Sequence, residues 1–329
     1  MVTSRPRRAK RSTREQILDL CWGAWTELGV SGWGRTHQNW AIDPEPLIVF
    51  TAGISGWDPR LRDEALDWCI HYWRHVSQVR LRNILRLQSD DIREGWGAFA
   101  ATVDARAGTH WPEATTELAY KTTGRSALRP LTEPSLVLLR LRAMFGLGAR
   151  SEILRHLLFN ANERTTASLL ASVTNYAKRN VADACETLAQ AGVLSARLVG
   201  NRYYYALANR RGLAEFVGSV PDIAPDWNAL FHVVKAIHRV SELASELSHQ
   251  ALVVEVHEAA RDTEDDIEIL GIRGARRRRG EEFLDEWRRW ADEVMSDLAS
   301  GSWPGVEGDP NVMLFEPRGP RHETSNRRR

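Results

Sequence analysis

Lys178–Gln190 places Val181, Ala184, Cys185 and Leu188 at i, i+3, i+4 and i+7, the spacing of one helical face. With that face inward, a step of about 100° per residue turns Arg179, Asp183, Glu186 and Gln190 outward, flanked by Lys178 and Ala182. An outward arginine near a helix start can pair through two hydrogen bonds with guanine O6 and N7, whereas Lys178 and the Thr174 hydroxyl suit phosphate oxygens. Asn180 points more sideways. Arg197 and Arg202 bracket Gly200-Asn201, a dipeptide suited to a tight hairpin turn, so the tip presents two cations beside Asn201 to a backbone or minor groove. Asp183 and Glu186 work against this, because carboxylates repel phosphate unless one accepts from a cytosine amine. Residues 148–211 nevertheless hold nine Lys/Arg against four acids, a local excess of five positive charges.

Three short helical patterns and a hairpin must position these groups. Residues 151–159 turn Ile153, Leu154, Leu157 and Leu158 to one face. A second pattern starts after Thr165 or Thr166 and buries Leu169, Leu170 and Val173. The chain breaks at Thr174, Asn175 and Tyr176 before the helix 178–190, which ends near Ala191-Gly192. Residues 193–199 and 202–207 then alternate as two strands. This order is carried by ARSEILRHLL, TTASLLASVTNYAKRNVADACETLAQAGVL and RLVGNRYYYAL. It resembles the winged helix-turn-helix of bacterial transcriptional regulators of the ArsR and MarR type, over residues 149–207. The resemblance implies a recognition helix, 178–190, in the major groove, a wing at 193–207, and sequence-specific binding of double-stranded DNA. The metal-binding cysteine pair of some ArsR-type sensors has no counterpart here.

Other chemistries lack their anchoring residues. His71 and His75 have a metal-compatible spacing but neither a glutamate base between them nor a third ligand. No G-x-S-x-G elbow, P-loop or G-x-G-x-x-G motif is present, so neither an enzyme nor a cofactor is expected. The acids Asp262, Glu264, Asp265 and Asp266 lack the glycine and spacing of a calcium loop and read as a solvated face.

The 329 residues allow two or three folding units, and a composition of 43% hydrophobic and 26% charged residues is that of a globular protein. Lys+Arg 44 against Asp+Glu 43 gives no whole-chain argument for a polyanion. Three isolated cysteines and no run of 18 apolar residues predict a cytoplasmic protein with no membrane partner. The expected fold is mainly α. A basic, disordered arm spans 1–14, a Trp-rich helical domain 15–145, the winged unit 146–210, a helical region 222–300 and a disordered tail 301–329. Asp43-Pro44 and Asp58-Pro59 read as helix starts, and Ser77 as the cap of a helix bearing Val79, Ile84 and Leu87. Nine of the thirteen tryptophans precede residue 112 and are assigned to the core. A hinge is placed near 146, at Gly146 and Gly148. Amphipathic helices over 227–247 and 281–298 motivate a homodimer reading paired half-sites, with an unknown effector or protein partner. The alternative is a protein-interaction adaptor, an antitoxin or a defence-system component, using the winged unit as a contact module.

Overall fold

The computed structural model describes residues 11–31, 40–160 and 165–305. The basic residues 1–10 and the tail beyond 305 lie outside the described residues. Ser12 already begins the first helix, α1 (Thr13–Leu28), through a capping box: the Glu15 N–H donates to the Ser12 hydroxyl and the Ser12 N–H to the Glu15 carboxylate. The expected arm therefore ends earlier than residue 14. Gly29 closes α1 with φ 100°, and a Cβ there would meet the Ala127 carbonyl oxygen at 1.6 Å.

Four helices follow: α2 (Pro44–Gly53), α3 (Pro59–Tyr72), α4 (Gln78–Leu85) and α5 (Asp90–Ala107). Asp58 caps α3 by accepting from the Arg60 and Leu61 N–H groups, and Ser77 caps α4 by accepting from Arg80. Asp43 precedes Pro44 as expected, but its carboxylate makes no cap bond; Arg80 takes it instead. On α4, Ile84 is buried while Val79 faces solvent, because a helix this short offers one narrow stripe to its neighbours. The helix ends at Leu85, which leaves Leu87 exposed in the turn beyond it rather than on the helix.

Trp25, Trp40, Trp68 and Trp96 are almost completely enclosed. Each buries roughly 150–250 Å², about 4–6 kcal/mol apiece at about 25 cal/mol per Å². Trp57 and Trp73 are half-buried and carry Arg14 and Arg74 over their rings. Trp33 lies outside the described residues.

The C-terminal helices complete this same core. They are α11 (Trp227–Leu243), α12 (His249–Asp262), α13 (Glu264–Ile269) and α14 (Glu281–Ser300). Phe231 of α11 stacks on Phe50 of α2 at 4.1 Å, Trp227 donates to the Ala41 carbonyl at 2.8 Å, and α14 packs on α1. Beyond α14, Trp303 is buried edge-on against Trp40 at 5.2 Å, so residues 301–305 are part of the packed structure. The apolar faces of α11 and α14, which motivated a dimer, are thus spent inside the chain and cannot form the interface assigned to them. Helix α11 also stops at Leu243 rather than running to 247.

A second core lies between. Helix α6 (Val137–Phe145) is shared: Leu139 faces the first core, and Val137 and Leu141 face the second. The second core therefore begins within α6, ahead of the expected boundary. It continues through α7 (Ala149–Phe159), α8 (Ala167–Thr174), α9 (Lys178–Gln190) and α10 (Arg210–Val217), with a three-stranded antiparallel sheet of β1 (Thr165–Thr166), β2 (Leu194–Val199) and β3 (Arg202–Leu207) in the order β1-β3-β2. The chain is mainly helical, with this small sheet as its β structure among the described residues.

Candidate nucleic-acid interface

Ile153, Leu154, Leu157 and Leu158 of α7 are buried, as their spacing requires, and form the floor on which α8 and α9 sit. Thr166 caps α8 by accepting from the Leu169 N–H, and β1 pairs Thr165 with Tyr205. Leu170 enters the core, but Leu169 is 46% exposed and Val173 half-buried, because α8 is too short to turn all three inward. Asn175 ends α8 in the left-handed region at φ 58°, which asparagine tolerates better than most residues. The chain then reverses into α9, where Val181, Ala184, Cys185 and Leu188 are buried. Burial raises the Cys185 thiol to about 12, leaving it an unreactive core group.

Lys178, Arg179 and Asn180 are solvent-exposed at the N-terminal end of α9, and Asp183 and Glu186 are exposed farther along. Thr187 donates to the Asp183 carbonyl, and Gln190 reaches the Glu186 carboxylate at 3.3 Å. In the hairpin, Val199 pairs with Arg202 across a two-residue turn in which Gly200 takes φ 59°. Arg197, Asn201 and Arg202 are all exposed there. None of Lys178, Arg179, Arg197 or Arg202 forms an ion pair with a described residue. Tyr203 and Tyr205 share one side of β3, with Tyr205 buried and Tyr203 exposed.

Thr174 is the correction. Its side chain is fully buried and its hydroxyl donates to the Leu170 carbonyl at 2.6 Å, so it offers nothing to a phosphate. As the last residue of α8 it folds back on its own preceding turn.

Arg80 and Arg142, the centre of the network that holds this turn in place, were not singled out in the sequence. Arg80 is completely buried and grips Asp43 bidentately at 2.7 and 2.6 Å, pairs with Glu45, and donates from Nε to the Thr174 carbonyl. Arg142, also buried, donates to both Glu45 oxygens at 2.8 Å, to Glu152 at 2.6 Å and to the His75 carbonyl at 2.7 Å. Arg155 lies 3.7 Å from Asp43 and 3.8 Å from Glu152. Three guanidinium groups thus neutralise three carboxylates. Burial alone would raise the Asp43 pKa, but Arg80 outweighs it and holds the carboxyl below the usual range. Ser77 and Tyr176 share a 2.8 Å hydrogen bond, and Asn83 donates to the Asn175 carbonyl at 2.9 Å. The signal in the sequence was Arg142 set within the apolar run of α6.

Among the described residues, no group of three or more His, Cys, Asp or Glu side chains is placed to hold a metal ion, and no helix is long and apolar enough to cross a membrane. Comparison with family models, with curated proteins and with solved structures finds no match to the chain.

Proposed function

We propose that residues 149–207 form a winged helix-turn-helix that binds double-stranded DNA sequence-specifically, and that the chain is a transcriptional regulator. In this reading α9 enters the major groove and the β2–β3 hairpin is the wing. The observation that carries it is the exposure of Lys178 and Arg179 at the start of α9, uncommitted to any described carboxylate, on a helix whose opposite face is buried. Arg179 reads a guanine edge, and Lys178, Arg197 and Arg202 meet phosphates or the minor groove, with Asn180 and Asn201 as supporting contacts. A homodimer would present two copies of α9 to paired half-sites through a surface other than α11 and α14. Selection from a random duplex pool tests the reading: enrichment of one motif by the full chain, lost with Arg179→Ala, supports it, and an unenriched pool contradicts it.

A second reading rests on the hairpin itself. Leu198, Val199 and Tyr203 are each more than half exposed, and an exposed apolar wing suits a protein partner better than a phosphate backbone. Co-purification with one partner, without retardation of DNA, would favour this adaptor role.

A further inference from the structure

A cleft of about 510 Å³ opens along α11, bounded by α2, α12 and α13, and reaches the last turn of α8 at Ser172 and the α8–α9 turn at Asn175. That volume falls in the range of small-molecule sites, roughly 300–1,000 Å³. Phe50 and Phe231 stack in its wall. Leu87 and Ile269 line it while 74% and 59% exposed, and Leu87 is the most exposed large apolar side chain among the described residues. Apolar groups held in water at the mouth of a cleft gain from being covered.

The charge of the lining decides what covers them. Three cationic or basic groups project from α11, and each is answered by an acid: His232 by Asp266 at 2.5 Å, Lys235 by Asp91 at 2.7 Å, and Arg239 by Glu255 at 2.6 Å. Asp262, 63% exposed, meets its sequence neighbour Arg261 at 4.0 Å and also acts on His232, whose hydrogen-bonded acid is Asp266. A further acid, Asp226, lines the cleft, so four lining acids face three basic groups. The uncompensated charge is therefore negative. We propose that this cleft binds a small organic cation, an aromatic or bulky aliphatic amine whose body lies on Phe231 and Leu87 and whose ammonium group faces Asp262 and Asp266. Because Asn175 lines the same cleft and anchors to Asn83, an occupant touches the turn that sets α9. That regulatory consequence rests on the DNA-binding reading; the binding itself does not.

Calorimetry of the full chain with tryptamine, 3-methylindole and indole-3-acetate holds the ring constant and varies the charge. The expected result is saturable binding of tryptamine, with indole-3-acetate and 3-methylindole each about tenfold or more weaker. Asp262→Asn, at an exposed position that leaves folding intact, should weaken tryptamine several-fold, and Ala236→Leu, which fills the cleft, should abolish it. No saturable heat, equal or tighter binding of the acid, or indifference to both substitutions would overturn the proposal. If tryptamine binds but no duplex does, the cleft stands and the DNA reading fails. If both bind and saturating tryptamine leaves duplex affinity unchanged, the coupling to α9 is overturned.

Discussion

The Arg80 Nε–H donates to the Thr174 carbonyl at 3.1 Å, joining α4 of the Trp-rich core to the last residue of α8, four residues before α9 begins. One guanidinium therefore neutralises Asp43 and Glu45 and also fixes the turn ahead of the candidate recognition helix. A removed arginine would leave buried carboxylates without their counter-charge. Arg80→Leu should cost about 3–5 kcal/mol in urea denaturation. Arg80→Lys keeps the charge but loses the planar fork, and should cost about 1–3 kcal/mol. A loss below about 0.5 kcal/mol for Arg80→Leu would show that the pairs carry no net weight.

Thr174 gives a sharper discrimination. Thr174→Val removes a hydroxyl that is buried and bonded to Leu170, so stability should fall by about 1 kcal/mol while the salt dependence of duplex binding stays as it was. A flattened salt slope would place that hydroxyl on a phosphate after all.

How much of this was visible in the residues differs by element. The 3.6-residue spacing of Val181, Ala184, Cys185 and Leu188 marked α9 from end to end, because an amphipathic helix on a core writes its buried face into the sequence. The Gly200-Asn201 turn likewise set the register of the hairpin. Thr174 was misplaced because it was read as part of the break, whereas α8 continues through it and its hydroxyl bonds back to the Leu170 carbonyl of that helix. The Arg80 and Arg142 network showed only as Arg142 beside an apolar run, and its partners could not be read, for a related reason. Its members lie on four separate segments, and a charge in sequence reads as exposed until its partners are known. The assignment of a dimer interface to α11 and α14 failed because an apolar face does not say whether its cover belongs to the same chain.

Asp183 and Glu186 stand exposed on the same helix as Lys178 and Arg179. Asp183→Asn and Glu186→Gln should each tighten binding to unrelated duplexes by a few-fold, by removing repulsion from phosphate. Should either substitution instead erase preference at a single base pair, that carboxylate accepts from a cytosine amine.

His156, on α7, has its pKa lowered to about 4 by burial, with the Arg155 charge adding to it. The folded state favours the neutral ring, so this contribution is complete above an unfolded-state value of about 6.5 and is lost as pH falls toward 4. Urea midpoints measured from pH 7 to 4 should decline, and His156→Gln should flatten that decline. An equal slope in the variant would assign the acid sensitivity to other groups.

Fluorescence anisotropy of a selected duplex and a scrambled one, titrated at several salt concentrations, decides whether α9 reads DNA. Arg179→Ala should narrow the gap between the two duplexes by about 1–3 kcal/mol. Lys178→Ala and Arg202→Ala should weaken both duplexes alike and lower the salt slope by about one unit each. Equal binding of selected and scrambled duplexes by the unaltered chain, with slopes indifferent to all three substitutions, would contradict groove recognition by α9.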